Sequence, residues 1–415
     1  MNKPRNIVLV STWFPPINGV AVNRMEGFEM YWDKTASSFH VFTLQGDKSH
    51  PSHSFTASGG EIFRLTNTPL IDTWPTIPGD PKWLHYSKVA WNIVVNKLTP
   101  NRQMDWARKT LKALLEFHQQ NPVDVIISSA FPIEPHWVAK EFCKQFPKVL
   151  WVADSRDELS KNPHINESTR KQYMEVEQWI NEYAQIATSV SAPIVADFKS
   201  LLPKVPQVAE IRNGHNLELP SVDSYAFNEQ FTIVYAGTFY GARKPNTFFQ
   251  GLLQFLEKNP AAKILVRFIG TSHNFSYPQH PRLSIAFLPK CSNAEACRHQ
   301  EIADANLLLL PILEARGVYS GKLFDYLAAC KPIIAVVDPT DVAAALIEEC
   351  KGGYIAHFDD IEQIEAAIAK AYSHWASKEP FSSDRAKVEQ LHRRYQVAQL
   401  QGIIESQFEK FQNTK

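Results

Sequence analysis

The residues with the clearest chemical signal lie in the stretch VYSGKLFDYL, residues 318–327. Ser320 and Gly321 lead directly into an apolar pattern with helical spacing. The amides at a helix N-terminus lack intrahelical partners and the dipole is positive there, so this position favours an anion. Lys322 adds positive charge. Asp325, about one turn later, either complements the dipole or accepts hydrogen bonds from a ribose diol, and the second role predicts a nucleotide site.

A second cationic position lies in AGTFYGARKPN, residues 236–246. Gly237 ends an apolar strand pattern, and Arg243 and Lys244 follow in the loop. Adjacent cations suit a diphosphate, although a solvated basic loop would have the same composition.

The first half of the chain carries polar residues directly after three strand patterns. These are candidates to orient a sugar, to move a proton or to let the backbone approach a ligand, and they are Gly19, His136, Asp154, Arg156 and Asp157. A helix-packing histidine and an Arg–carboxylate cluster that only shapes its own loop are the alternatives.

The composition disfavours several classes of protein. The 43 basic residues (Lys and Arg) balance 43 acidic ones, which argues against a nucleic-acid-binding protein. The five cysteines are scattered, which favours a reducing compartment. Cys291, Cys297 and His299 lack a matching second pair, so no metal site is expected. No strand end carries the G-x-G-x-x-G or P-loop pattern, which disfavours NAD and simple NTPase functions.

Short apolar strand patterns alternate with helical patterns along the whole chain. This alternation predicts an α/β protein with parallel strands and crossover helices. The series breaks near IRNGHN, residues 211–216, and then restarts, which indicates two Rossmann-like domains facing a central cleft. We expect domains at 1–214 and 215–384, with a C-terminal helix at about 385–415 that packs back on the first. Without a signal peptide or a long apolar run, a cytoplasmic protein is expected.

Residues 82–112 combine aromatic residues with many lysines and arginines. Such a mixture can lie on an anionic membrane surface. An ordinary basic exterior with its aromatics in the core is the alternative interpretation.

Taken together, four segments resemble a bacterial glycosyltransferase of the GT-B fold, in the family 4 group. FPPINGVAVNR (14–24) is similar to the group's first-loop pattern, and WVADSRDE (151–158) to its Trp-x-x-Asp-x-Arg-Asp segment. IRNGHN (211–216) resembles its Asn-Gly-x-Asp hinge. SGKLFDYLAACKPIIA (320–335) resembles its Gly-Lys-Leu-x-Glu-Tyr-Leu-Ala-x-Gly-Lys-Pro signature.

The resemblance implies a retaining transfer of sugar from a nucleotide-diphosphate sugar to an acceptor hydroxyl, without a cofactor or an obligatory metal. The second domain would bind the donor and the first a saccharide or lipid-linked saccharide acceptor. The donor residues would be Gly19, Gly237, Arg243, Lys244, Tyr319, Ser320, Gly321, Lys322 and Asp325. The implied setting is bacterial surface polysaccharide biosynthesis, with peripheral contact to the inner face of the cytoplasmic membrane through residues 82–112.

The chain also departs from that pattern. The family often has two glutamates, and here Asp325 takes the place of the second while Gly317 stands eight positions before it. Cys330 replaces the glycine before Lys331. A sugar-nucleotide epimerase on the same scaffold, or an inactive glycosyltransferase-like binding protein, are the alternatives.

Overall fold

The protein is described from a computed structural model. The described residues are 5–17, 20–46, 50–68, 81–98, 103–239, 244–271, 275–310 and 317–413. The chain forms two compact units, Met1–Ile211 with Val397–Lys415, and Arg212–Gln396. The sequence placed the first boundary at 214 and the return segment from about 385, whereas the structure keeps the chain in the second unit as far as Gln396.

The first unit has an eight-stranded sheet within the described residues. Its strands are β1 Arg5–Ser11, β2 Ser37–Leu44, β3 His53–Phe55, β4 Glu61–Leu65, β5 Val125–Ala130, β6 Leu150–Ser155, β7 Ile186–Ser189 and β8 Gln207–Glu210. Their order is β3-β4-β2-β1-β5-β6-β7-β8. All neighbours pair in parallel except β3 and β4, which are antiparallel.

Helices connect the strands of the first unit. They are α1 Val20–Met30, α2 Lys82–Leu98, α3 Gln103–Gln120, α4 Glu134–Gln145, α5 Glu167–Tyr183 and α6 Ala192–Leu201. Strands β1, β5 and β6 are buried along nearly their whole length because both faces of the sheet are covered, as in other parallel sheets.

The second unit has a six-stranded parallel sheet in the order β11-β10-β9-β12-β13-β14. The strands are β9 Phe231–Ala236, β10 Ile264–Ile269, β11 Leu283–Leu288, β12 Ala305–Leu309, β13 Ile333–Val337 and β14 Gly353–His357. The helices are α7 Asn246–Lys258, α8 Asn293–Glu301, α9 Gly321–Ala328, α10 Val342–Glu349, α11 Ile361–Ser377 and α12 Arg385–Gln390. The predicted α/β class with two parallel sheets is confirmed.

The expected C-terminal helix is two helices, α12 and α13 (Arg393–Asn413). Between them, His215 forms backbone hydrogen bonds with the chain on both sides of His392. Its N–H donates to Leu391 O at 3.1 Å, and its carbonyl accepts from Arg393 N at 2.8 Å. The interruption between α12 and α13 therefore lies where the backbone around His392 pairs with His215.

Candidate functional site

The candidate nucleotide site of the second unit lies where β9 ends and α9 begins. Gly237 follows β9 with a φ of 121°, a conformation that L side chains rarely adopt. A Cβ atom at this position would lie 2.5 Å from Lys322 Nζ. The backbone conformation therefore favours glycine here, and a side chain at this position would displace the end of Lys322. Two residues that are 85 positions apart, each predicted to bind the donor, lie together.

Contacts with β9 hold the first turns of α9 in place. Lys322 Nζ donates to the hydroxyl of Tyr235 at 2.9 Å and lies 4.1 Å from the centre of that ring. The hydroxyl of Tyr326 accepts a hydrogen bond from Ala236 N at 3.1 Å. Since Tyr235 and Tyr326 are both buried, the Lys322 ammonium is fixed at the end of the strand.

Ser320 is the N-cap residue of α9, and its side chain makes no capping hydrogen bond. Capping serines usually satisfy an amide of the first turn, so this arrangement leaves the helix mouth suited to an anion. Tyr319, just before it, is buried and packs its ring against Phe324 at 5.4 Å. This packing holds the Tyr319 side chain against the first turn of α9.

Asp325 lies one turn into α9 and is partly exposed. Burial raises the pKa of its carboxyl to about 6, and the charge of Arg393 opposes this effect. Among the described residues, no side chain forms an ion pair or a hydrogen bond with this carboxylate. Asp325 therefore has its acceptor capacity available at neutral pH, as a ribose diol would require.

Gly317 also adopts a left-handed conformation, with a φ of 88°. Its N–H donates to Asp341 Oδ1 at 3.0 Å, which fixes the peptide. A glutamate at this position would be strained, so the departure from the family pattern coincides with a backbone that favours glycine.

Of the other residues predicted to bind the donor, the structure describes only Lys244. Lys244 is exposed, just before α7. Gly19 and Arg243 lie outside the described residues.

The polar residues of the first unit include a buried ion pair that the sequence did not indicate. Asp154 accepts from Arg24 Nη2 at 2.7 Å and from Arg24 Nε at 3.1 Å. Ser129 and Thr188 donate to the same carboxylate. Burial alone would raise the pKa of Asp154, but Arg24 and these hydrogen bonds lower it below its usual value. Both carboxylate oxygens are occupied, so Asp154 stabilises the ends of β5, β6 and β7.

His136 is fully buried in α4, whereas the sequence suggested a titrating group for a reacting hydroxyl. Its Nδ1 is 2.7 Å from Ser128 Oγ and its Nε2 is 3.3 Å from Ser155 Oγ. Burial lowers its pKa to about 4, with the charge of Asp154 opposing, so the ring is neutral at pH 7. Because α4 begins at Glu134 and turns His136 inward, its position suits packing rather than proton transfer.

Arg156 and Asp157 remain at the carboxyl edge of the first sheet. Arg156 donates to Asp157 Oδ2 from Nε at 3.2 Å and from Nη2 at 3.1 Å, and both side chains are partly exposed. Arg156 also lines a depression of about 10 Å³ together with Ser11, Trp13 and Arg24. That volume holds about one water molecule, and polar side chains line it.

Metal ligands and thiol chemistry have no support in the described part of the chain. No group of three or more His, Cys, Asp or Glu residues there could hold a metal ion. All five cysteines are unpaired with one another. Burial raises the pKa of Cys297 to about 12, which keeps this thiol protonated.

The two sheets with their helices define the GT-B fold, a pair of Rossmann-like domains. No protein-family model and no curated protein sequence matches the chain. Solved structures match it over nearly its whole length. Sucrose-phosphate synthase from Thermosynechococcus elongatus has a TM-score of 0.63 and 14% identity, and the match covers 98% of this chain and 100% of that one.

Two further matches have similar statistics. Anabaena HepE, in complex with UDP and glucose, has a TM-score of 0.59 and 11% identity, with 97% of this chain and 100% of that one covered. A trehalose-6-phosphate synthase, described for glycosyl transfer with retention, has a TM-score of 0.61 and 13% identity, with 96% and 99% covered. At these identities the likeness establishes the fold.

Proposed function

We propose that the protein is a glycosyltransferase that moves a sugar from a nucleotide-diphosphate sugar to an acceptor hydroxyl with retention. The observation that carries the proposal is the position of Lys322 at the mouth of α9, in the space that Gly237 leaves open. A fixed ammonium beside a helix N-terminus is an arrangement for a diphosphate. The relatives in fold that act on or bind UDP, glucose and sugar phosphates support this interpretation.

Each residue has a stated role in the proposed reaction. The amides at Ser320 and Gly321 hold the diphosphate, and Lys322 neutralises charge as the sugar–phosphate bond breaks. Such preorganised groups lower the barrier electrostatically, because they need no reorganisation when the leaving group departs. Asp325 accepts from the ribose hydroxyls. Arg243 and Lys244 would add positive charge to the diphosphate.

The acceptor would contact the first unit, through the polar edge that includes Arg156 and Asp157. We propose that this acceptor is a saccharide, lipid-linked in the synthesis of a bacterial surface polysaccharide. Helix α2 supports a lipid-bound setting, since Trp83 and Tyr86 are 70% and 68% exposed. Lys82 is exposed beside them and the helix has no acidic residue, which suits an anionic membrane surface, whereas Lys88 is buried and faces away from solvent.

Peripheral contact is the form of membrane association that we propose. Within the described residues, no helix has the length and apolar character to cross a bilayer. Contact through α2 would place the protein on the inner face of the cytoplasmic membrane.

A donor panel tests the proposal. UDP-, GDP-, ADP- and CMP-sugars are incubated with the full chain, and released nucleotide is measured with and without saccharide acceptors. We expect turnover of one donor class, with loss of at least about tenfold in Lys322→Ala. Lys263→Ala is the matched control, because Lys263 is an exposed lysine just before β10, at the opposite edge of the sheet.

Two results would contradict the proposal. Calorimetry that detects no binding of UDP, GDP, ADP or CMP would remove the nucleotide site. Interconversion of one sugar nucleotide into another without an acceptor would identify an epimerase instead.

A further inference from the structure

A second cavity, of about 360 Å³, lies in the second unit away from Gly237 and the mouth of α9. Its lining includes Glu301 and Ile302, just before β12, and Lys331, just before β13. In a parallel sheet the residues that precede the strands lie at the amino edge, opposite the edge of the candidate nucleotide site. The volume falls in the range of about 300–1,000 Å³ that is usual for small-molecule sites.

Lys331 is a buried cation in this lining, only 4% exposed. Its Nζ donates to Ala226 O at 2.9 Å and lies 3.5 Å from the centre of the Tyr225 ring. Within the described residues, no carboxylate lies within ion-pairing distance of this ammonium. Burial lowers the pKa of Lys331 to about 8, and the charge of Asp304 opposes this only in part. A buried ammonium without an ion-pair partner is costly, and a bound anion would offset the cost.

Arg385 is the second cation of the lining. It donates from Nη2 to Pro220 O at 2.5 Å and forms no ion pair in the described part of the chain. The carboxyl of Glu301 also lines the cavity, so one carboxyl stands against two cations; burial raises its pKa, and the charge of Arg298 opposes this. The cavity therefore has an excess of positive charge.

Much of the remaining lining is apolar, with serine hydroxyls beside it. Tyr225 and Phe381 contribute aromatic rings, and Val222 and Ile302 contribute aliphatic side chains. Val222 and Ile302 are 65% and 53% exposed, so the lining continues to the protein surface. Such walls suit the body of a small molecule whose other end is charged.

We propose that this cavity binds a small organic anion. Its phosphate or carboxylate group contacts Lys331 and Arg385, and its apolar or ring portion packs against Tyr225 and Phe381. Organic phosphates and carboxylates share this chemistry. The proposal is independent of glycosyl transfer at the candidate nucleotide site.

Three probes that each carry one phenyl ring test the proposal by calorimetry on the full chain: phenyl phosphate, benzoate and benzyl alcohol. We expect one-to-one binding of at least one anion, about tenfold or more tighter than the neutral alcohol. The preferred anion distinguishes a phosphate from a carboxylate ligand. Saturating UDP should leave this binding unchanged.

Variants locate the site. Arg385→Gln and Lys331→Met should each weaken binding by about tenfold or more. Lys387→Gln is the matched control, since Lys387 is exposed two residues further along and does not line the cavity. Thermal melting checks that each variant folds. Absence of binding by both anions, equal binding of benzyl alcohol, displacement by UDP, or unchanged binding in both folded cation variants would each overturn the proposal.

Discussion

The ammonium of Lys322 occupies the space beside Gly237, since its Nζ atom lies 2.5 Å from where a Cβ atom at position 237 would be. Gly237→Ala should therefore displace Lys322 and weaken UDP binding by about tenfold or more. Calorimetry measures the loss.

The control for backbone strain alone is Gly59→Ala, because Gly59 has a φ of 89° but no atom within 4 Å of a built Cβ. A double variant separates the causes. If displacement of Lys322 explains the loss, Gly237→Ala adds little to Lys322→Ala. Wild-type affinity in Gly237→Ala would contradict the assignment.

Asp325→Asn should make the folded protein more stable and its nucleotide binding weaker. The pKa of Asp325 is raised to about 6, so ionisation opposes folding as pH rises through 6. Removing the charge should stabilise the protein at pH 8 by at most about 3 kcal/mol, and by little below pH 4. Denaturant unfolding at both pH values measures this difference.

Nucleotide binding should respond to Asp325 in the opposite direction. Wild-type affinity should fall as pH drops below 6, because a protonated carboxyl accepts fewer hydrogen bonds. Asp325→Asn should bind weakly, with a flatter pH profile. An affinity equal to that of wild type at pH 8 would exclude a ribose contact.

His136 should make the protein sensitive to acid. Its pKa is about 4 in the folded protein and 6.5 in the reference state, so the unfolded chain binds the proton more readily between these values. Stability should therefore fall as pH drops from 6.5 to 4, by up to about 3 kcal/mol from this residue. His136→Gln should flatten that part of the unfolding profile, whereas His53→Gln, at an exposed histidine, should not. Equal slopes in all three proteins would contradict the assignment.

Asp154→Asn should be strongly destabilising. It removes the charged partner from a buried ion pair with Arg24, and breaking such a pair typically costs about 3–5 kcal/mol. Asp157→Asn breaks a partly exposed ion pair with Arg156 and should cost less than about 1 kcal/mol. Denaturant unfolding compares the two, and similar losses would show that burial of the first pair is not decisive.

Helix α2 should bind anionic vesicles. The full chain should sediment with phosphatidylglycerol liposomes more than with phosphatidylcholine liposomes, and less as salt rises. Trp83→Ser with Tyr86→Ser should reduce the bound fraction. Phe55→Ser, at another exposed aromatic residue, is the control. Sedimentation that is independent of lipid charge and of these two aromatics would refute the membrane contact.

Strand patterns in the sequence were sufficient to predict both parallel sheets, because buried strands are continuous apolar runs. Strands β3, β4 and β8 were missed, since short and partly exposed strands lack that pattern. The break at His392 was also missed, because it depends on pairing with His215, far away in sequence.

Site residues were predictable where a local pattern determines the chemistry. Ser320, Gly321 and Lys322 follow from a helix start. The partners of His136 and Asp154 do not, since burial and contacts such as Arg24 with Asp154 arise only when distant strands meet. The sequence shows that a charge is present, and the fold decides whether that charge can reach a ligand.

The left-handed backbone at Gly317 limits which side chains this position can gain by mutation. A carboxylate could not be added there by one substitution without strain, because the φ of 88° and the hydrogen bond to Asp341 hold the peptide. Acquiring such a group would require coordinated changes in the surrounding loop. Val318, which is exposed and has no such left-handed backbone, should therefore tolerate single substitutions better than Gly317.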